Sequence, residues 1–280
     1  MPTDMFERLL IPVDGSTCAQ YAAKHGLELA DRYGATGEAI YVGDDDADGQ
    51  AILDTVDDMA ETVGTTVETT LLQGNPAKRI AERAAERDHD LIVMGRCGRA
   101  GVTEVVLGSV TERVLRRTDV PVLTVPDEDL AGATGVEYGS VLVTTDGSEI
   151  ADRAGPYGAD IARRFDAALH VLNAVDVQAS AGVFDAGGVG EEYIDRLESE
   201  GEKAVDRLVE DIDSAELDVH RAVVRGAARE VIQEYVDDHG IDLVVMSSEG
   251  QSNLAKQRIG TVAGQVLRSL DVPVLVVPEA

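Results

Sequence analysis

Short apolar runs recur along the chain, separated by amphipathic stretches. In the first half they are LLIPV (9–13), EAIYV (38–42), VETTLL (67–72), DLIVM (90–94) and PVLTV (121–125). Runs that are apolar without alternation read as strands buried on both faces, hence a parallel sheet. Between them, PAKRIAERAAER (76–87) places Ile80, Ala84 and Ala85 on one side and its charges on the other, which predicts a helix. Strand–helix alternation predicts βαβ units with right-handed crossovers. Each half therefore reads as a five-stranded α/β layer sandwich.

The pattern occurs twice. RLLIPVDGS (8–16) returns as SVLVTTDGS (140–148), ERDHDLIVMGRCG (86–98) as DDHGIDLVVMSSEG (237–250), and TDVPVLTVP (118–126) as LDVPVLVVP (270–278). Three blocks repeated in one order mean a duplicated domain. Asp14 maps to Asp146, an offset of 132, whereas Gly74, Gly98, Gly108 and Pro121 map to Gly226, Gly250, Gly260 and Pro273, an offset of 152. The second half thus carries 20 extra residues between Asp146 and Gly226, placed at the Gly- and Ala-rich QASAGVFDAGGVGEEY (178–193). The turn chemistry of EDLAGATGVEYG (128–139) sets the boundary. It gives a first domain over 1–128, a linker over 129–138 and a second domain over 139–280.

The candidate chemistry lies in GRCGRAGVTEVVLGSV (95–110). It follows the strand DLIVM, and in open α/β sheets the ligand crevice lies outside the carboxyl ends of the strands. Gly95, Gly98 and Gly108 allow backbone N–H groups to approach a ligand closely. The helix predicted after Ser109 offers free N–H groups and a positive dipole end. Arg96 and Arg99 add positive charge. Together these suit a polyanion, and a nucleotide triphosphate fits best. Ser109 has a second reading: with Glu112 it forms the capping box S-x-x-E. The chain lacks G-x-x-x-x-G-K-[ST], a G-x-G-x-x-G after the first strand, H-E-x-x-H and G-x-S-x-G. That argues against a Walker loop, a Rossmann dinucleotide site, a zinc protease and a serine-hydrolase elbow.

Charge narrows the partners. Lys plus Arg total 24 and Asp plus Glu 53, a formal charge of −29 over 280 residues. A phosphate backbone needs a basic face, so nucleic acid is not an expected partner, nor is an anionic membrane surface. Four of the basic residues are lysines: Lys24, Lys78, Lys203 and Lys256. A large acidic excess with scarce Lys is the composition expected of a halophilic protein, in which salt screens self-repulsion. MPTDMFERLLIPVDGS carries no positively charged leader, and no run approaches a membrane span, so a cytoplasmic location is expected. The two cysteines, Cys18 and Cys97, are too few for a disulfide scaffold. Each sits where a thiol pKa could fall, or where a tight space asks for a small residue.

The spacing G-x2-G-x9-G-[ST], met by Gly95, Gly98, Gly108 and Ser109, stands together with IPVDGS after the first strand and DVPVLTVP at the end. In this combination the chain resembles the ATP-binding branch of the universal stress protein family, and because both halves match, its tandem form. The resemblance implies an adenine nucleotide alpha hydrolase-like fold with strand order 3-2-1-4-5 in each half and ATP across the strand ends. Asp14 would then sit beside ribose and adenine, and the Val42 backbone near the adenine. Gly95 and Gly98 would run along ribose and phosphates, flanked by Arg96 and Arg99. Gly108 and Ser109 would hold phosphates, which a divalent metal, Mg or Mn, would bridge. Read without the resemblance, Asp14 is a turn residue in D-G-S. The family commonly dimerises through its last strand, and this chain holds two such strands. The resemblance therefore implies an intramolecular pseudo-dimer and leaves a homodimer of chains open.

The second copy departs from the pattern. Gly95, Arg96, Cys97 and Arg99 become Ser247, Ser248, Glu249 and Gln251, while Asp146, Gly250, Gly260 and Thr261 remain. A carboxylate at 249 repels a polyanion, although Lys256 and Arg258 stand nearby. The second half reads as a degenerate site on a scaffold domain. Three functional readings follow: an ATP-binding sensor or regulator of the stress response, a slow ATPase or phosphotransferase, and a nucleotide-free structural or interaction protein.

Overall fold

The computed structural model describes residues 5–97, 107–126, 136–177, 191–250 and 259–279. They form two compact units, Met1–Glu137 with Asp271–Ala280, and Tyr138–Leu270.

In unit 1 strands and helices alternate as the hydrophobic pattern predicts: β1 (Arg8–Val13), α1 (Thr17–Tyr33), β2 (Thr36–Val42), α2 (Asp46–Val63), β3 (Val67–Leu72), α3 (Pro76–Glu86), β4 (Leu91–Gly95), α4 (Ser109–Leu115) and β5 (Val122–Val125). Parallel pairing gives the order β3-β2-β1-β4-β5. Leu9, Leu10 and Ile11 of β1 and Ile92 and Val93 of β4 are wholly buried, although neighbouring side chains in a strand point to opposite faces. That is the signature of a sheet covered by helices on both sides. The edge strand β3 is half exposed and carries Glu68, which suits a sheet edge. Local chemistry starts the first three helices: Ser16 caps α1 by accepting from Ala19 N, Asp45 caps α2, and Asn75 caps α3 with Pro76 at its first position. On α3 the buried residues are Ala77, Ile80 and Ala84. Ala77 takes the place anticipated for Ala85, because it lies one turn before Ile80 on the same stripe.

Unit 2 repeats the plan: β6 (Ser140–Thr144), α5 (Glu149–Asp152), α6 (Ala154–Phe165), β7 (Ala168–Val175), α7 (Glu191–Asp211), β8 (Val219–Arg225), α8 (Ala228–His239), β9 (Leu243–Ser247) and α9 (Thr261–Ser269). Its parallel order is β8-β7-β6-β9, the counterpart of 3-2-1-4. One tie recurs in both units. The Asp90 carboxylate accepts from the Glu7 and Arg8 amides before β1, and Asp242 accepts from the Gly139 and Ser140 amides before β6. Residues 178–190 of the anticipated insertion lie outside the described residues, and α7 beyond them has 21 residues against 18 in α2.

The fifth strand of the second repeat, β10 (Val274–Val277), groups with unit 1 and pairs antiparallel with β5, Leu275 opposite Leu123. Thr124 Oγ1 donates to the Val274 carbonyl at 3.2 Å. The sequence reading assigned five strands to each half. The second repeat does hold five, β6 to β10, and its last covers β5, which is apolar and fully buried and as an edge needs a cover.

Candidate functional site

At the carboxyl ends of β1, β2 and β4 in unit 1 lies a cavity of about 350 Å³. Its floor is apolar: Ile40 from β2, Ile80 from α3 and Met94 from β4. Its rim brings together Asp14, Val42, Gly95, Gly108 and Ser109, residues far apart in the chain and all singled out from the sequence. The size lies at the lower end of the range of small-molecule pockets, and an apolar floor with few polar groups suits a flat heterocycle.

Each rim residue has a local cause. Asp14 follows β1 and folds the D-G-S turn: its Oδ1 accepts from Ser16 N at 2.9 Å and Ser16 Oγ at 2.6 Å. The turn role and a place at the cavity therefore coexist. Gly108, not Ser109, is the N-cap of α4, and no side chain caps this helix. The exposed Ser109 therefore makes no capping-box bond, and its side chain is at the rim. Gly95 ends β4, where a Cβ would stand 2.9 Å from the Cys18 carbonyl oxygen. The missing side chain at 95 is needed to seat α1 against the sheet, a reason the sequence did not suggest. The Gly95 carbonyl accepts from Thr111 Oγ1 at 2.9 Å, which fixes α4 against the end of β4.

Arg96 is placed differently from expectation. It is 2 % exposed, does not line the cavity, and its Nη2 donates to the Val272 carbonyl at 2.6 Å. Burial pulls this guanidinium down to about 10, partly opposed by Asp271. Gly98 and Arg99 lie outside the described residues, as do Lys256 and Arg258 of the second half. The sequence reading missed Pro76, Ile80 and Thr111 in the lining, and it missed that Cys18 and Cys97 are joined as a disulfide. The buried stripe of α3 was the available signal for Ile80; nothing in the sequence pairs the cysteines. Among the described residues no group of three His, Cys, Asp or Glu side chains is arranged to hold a metal, and no helix is long and apolar enough to cross a membrane.

The matching place in unit 2 holds a cavity of about 90 Å³, with Asp146, Gly250, Gly260 and Thr261 in its lining. The Asp146 carboxylate lies against Gly250, so close that a Cβ there would stand 2.3 Å from Oδ2. Ser247 donates to the Glu249 carbonyl, and Thr145, in the place of Val13, donates to Asp152 at 2.8 Å.

The units differ again on the same face of β2 and β7, further from the strand ends than the cavity. In unit 1, Glu38 is buried and accepts from Thr70 Oγ1 at 2.8 Å and Arg83 Nε at 2.9 Å, with His89 Nε2 3.1 Å from its other oxygen. Burial pushes this carboxyl up, and the Arg83 and Thr70 hydrogen bonds outweigh it, so its pKa falls below the ordinary value. His170 takes the same place in unit 2. Its Nδ1 lies 3.0 Å from the Tyr235 hydroxyl, its ring stacks on His220, and Tyr235 stacks on His239. Burial, then the His220 and His239 charges, push His170 down to about 4.

A parallel sheet covered by helices on both faces, with a crevice at its strand ends, defines an open α/β class. The chain matches the universal stress protein family over residues 5–126 and 137–278, and it belongs to that family with two tandem domains. It is 36 % identical over 141 residues to a universal stress protein of Methanocaldococcus jannaschii, covering 44 % of this chain and 83 % of that one. It is 28 % identical over 251 residues to a universal stress protein of Mycobacterium bovis, covering 85 % of this chain and 79 % of that one. The crystal structure of a universal stress protein from Archaeoglobus fulgidus superposes with a TM-score of 0.68 at 21 % identity, over 96 % of this chain and 95 % of that one, which speaks for the fold.

Proposed function

We propose that unit 1 binds an adenine nucleotide, ATP with its divalent metal, and that the protein acts as a nucleotide-dependent sensor or regulator in the stress response. The observation that carries this reading is the unit 1 cavity, which gathers Asp14, Val42, Gly95, Gly108 and Ser109 around an apolar floor. In this reading the adenine lies on Ile40, Ile80 and Met94. Asp14 faces the ribose, and Gly108 and Ser109 face the phosphates. Arg96 holds the Val272 carbonyl and takes no part in the phosphate contacts. The metal, Mg or Mn, enters with the phosphates. The one carboxylate among these residues, Asp14, is engaged by Ser16 in the turn, which favours binding over activation of an attacking water.

The test is acid quenching of the purified protein and anion-exchange separation of what it releases. Intact ATP supports the proposal, and ADP points to a slow ATPase or phosphotransferase. An empty site with no thermal shift on adding Mg-ATP overturns the nucleotide reading.

A further inference from the structure

The Cys18–Cys97 pair joins the two walls of the unit 1 cavity. Cys97 follows β4 and lines the cavity; Cys18 is the second residue of α1 and lies beneath Gly95. The α1 wall begins at Ser16, which holds Asp14 through two hydrogen bonds. The Cα atoms of the pair are 6.0 Å apart, within the span a disulfide bridges without moving the backbone. Besides the bond, the Cys97 amide lies 3.2 Å from Cys18 Sγ. In the reduced state an amide donor and the first turn of a 17-residue helix both favour the thiolate of Cys18. Cys18 is 3 % exposed, whereas Cys97 is only partly buried. A reagent in solution therefore meets Cys97 first, and Cys18 is placed to resolve the product.

We propose that Cys18 and Cys97 form a reversible redox pair that takes a low-molecular-weight disulfide as oxidant, and that its closure raises the affinity of the unit 1 cavity for nucleotide. The Cys97 thiolate attacks one sulfur of the oxidant, its S–S bond breaks, and one thiolate leaves. The Cys18 thiolate then attacks the Cys97 sulfur of the mixed disulfide and expels the second thiolate. The protein loses two electrons and two protons, and the oxidant is reduced to two thiols. A low-molecular-weight thiol in excess runs the steps backwards. Closure ties the Cys97 wall to the Asp14 wall before ligand arrives, so less ordering is left for binding. The coupling rests on the nucleotide reading above; the pairing itself does not.

The experiment compares the full chain after oxidised glutathione and after dithiothreitol, each desalted. Intact mass reads the pair, which closes with the loss of two hydrogens, and calorimetry with Mg-ATP reads affinity. The expected result is closure with a Kd about five- to tenfold lower in the oxidised form. Cys18→Ser should stop at a glutathione adduct on Cys97, read by intact mass, and should not reach the lower Kd of the closed wild type. In the wild type, a glutathione adduct that never resolves, or two thiols that survive, overturns the redox pair. Closure with equal or weaker binding overturns the coupling and leaves the nucleotide reading intact. Closure with no Mg-ATP binding in either state overturns the nucleotide reading and the coupling with it, while the mass still records the pair.

Discussion

Unit 1 and unit 2 share a strand plan, an Asp tie before the first strand and an Asx turn after it, yet one crevice measures about 350 Å³ and the other about 90 Å³. The helix after the first strand is unbroken in unit 1 and split into α5 and α6 in unit 2, and several crevice side chains differ as well. Thr145 replaces Val13, Ser247 replaces Gly95 and Glu249 replaces Cys97. All three are polar, and two find partners inside their own unit: Thr145 bonds Asp152, and Ser247 bonds the Glu249 carbonyl. Asp146 leans on Gly250, whereas Asp14 stands at an open rim. In unit 2 these contacts lie in the crevice lining, whereas in unit 1 Ile40, Ile80 and Met94 leave an uncovered apolar floor.

The sharpest way to break this comparison is calorimetric titration with Mg-ATP. We expect one tight equivalent per chain. Gly95→Val should abolish it, because the new Cβ meets the Cys18 backbone, while Gly250→Val leaves it in place. Two equivalents of similar affinity, or loss of the tight phase in Gly250→Val, would show that the halves have been misassigned.

The second test concerns the polar cluster beside each crevice. Glu38→Ala takes a buried charged acceptor from the half-buried Arg83 and from Thr70, and should cost about 2–3 kcal/mol in denaturant unfolding. His170→Ala removes a neutral hydrogen bond and should cost about 1–2 kcal/mol. Equal losses would mean that the ionic cluster holds unit 1 no more firmly than the aromatic one holds unit 2.

The third follows from pH. His170 ionises at about 4 when folded, below its value of 6.5 in the unfolded chain. The unfolded state therefore takes up the proton first, and stability falls as pH drops from 6.5 towards 4. The loss due to this one group is on the order of 3 kcal/mol, and His170→Gln should lack it. His89 in unit 1 is also lowered, chiefly by burial, so the variant keeps part of the slope. Superimposable pH profiles of wild type and variant would remove His170 from the account.

The smallest effect is from salt. With a formal charge of −29, self-repulsion should weaken the fold at low ionic strength. Melting temperature should rise by about 5 °C between dilute buffer and molar KCl, and a flat curve would dispose of the halophilic reading.

The fold was legible because unbroken apolar runs such as DLIVM have few other uses in a chain that alternates them with amphipathic stretches. The duplication was legible in three repeated blocks. The rim of the cavity was partly legible, through Asp14, Gly95, Gly108 and Ser109. Its floor was not, because Ile40 and Ile80 look like any other core residues until the strand ends are placed. Arg96 shows the converse failure. Its charge suggested a phosphate, but the deciding fact, a carbonyl 176 residues away at Val272, has no local signal. The Cys18–Cys97 bond is of the same kind, its ends 79 positions apart.

The placement of β10 beside β5 has a consequence for biosynthesis. As the chain leaves the ribosome, β5 emerges long before the strand that covers it. At about 5–20 residues per second, synthesis leaves this buried-type edge bare for roughly 10–30 s. During that time a second nascent copy on the same messenger presents an identical edge. Any chain cut short after unit 2 would keep its first sheet open permanently, so premature termination should yield aggregates rather than a functional first half.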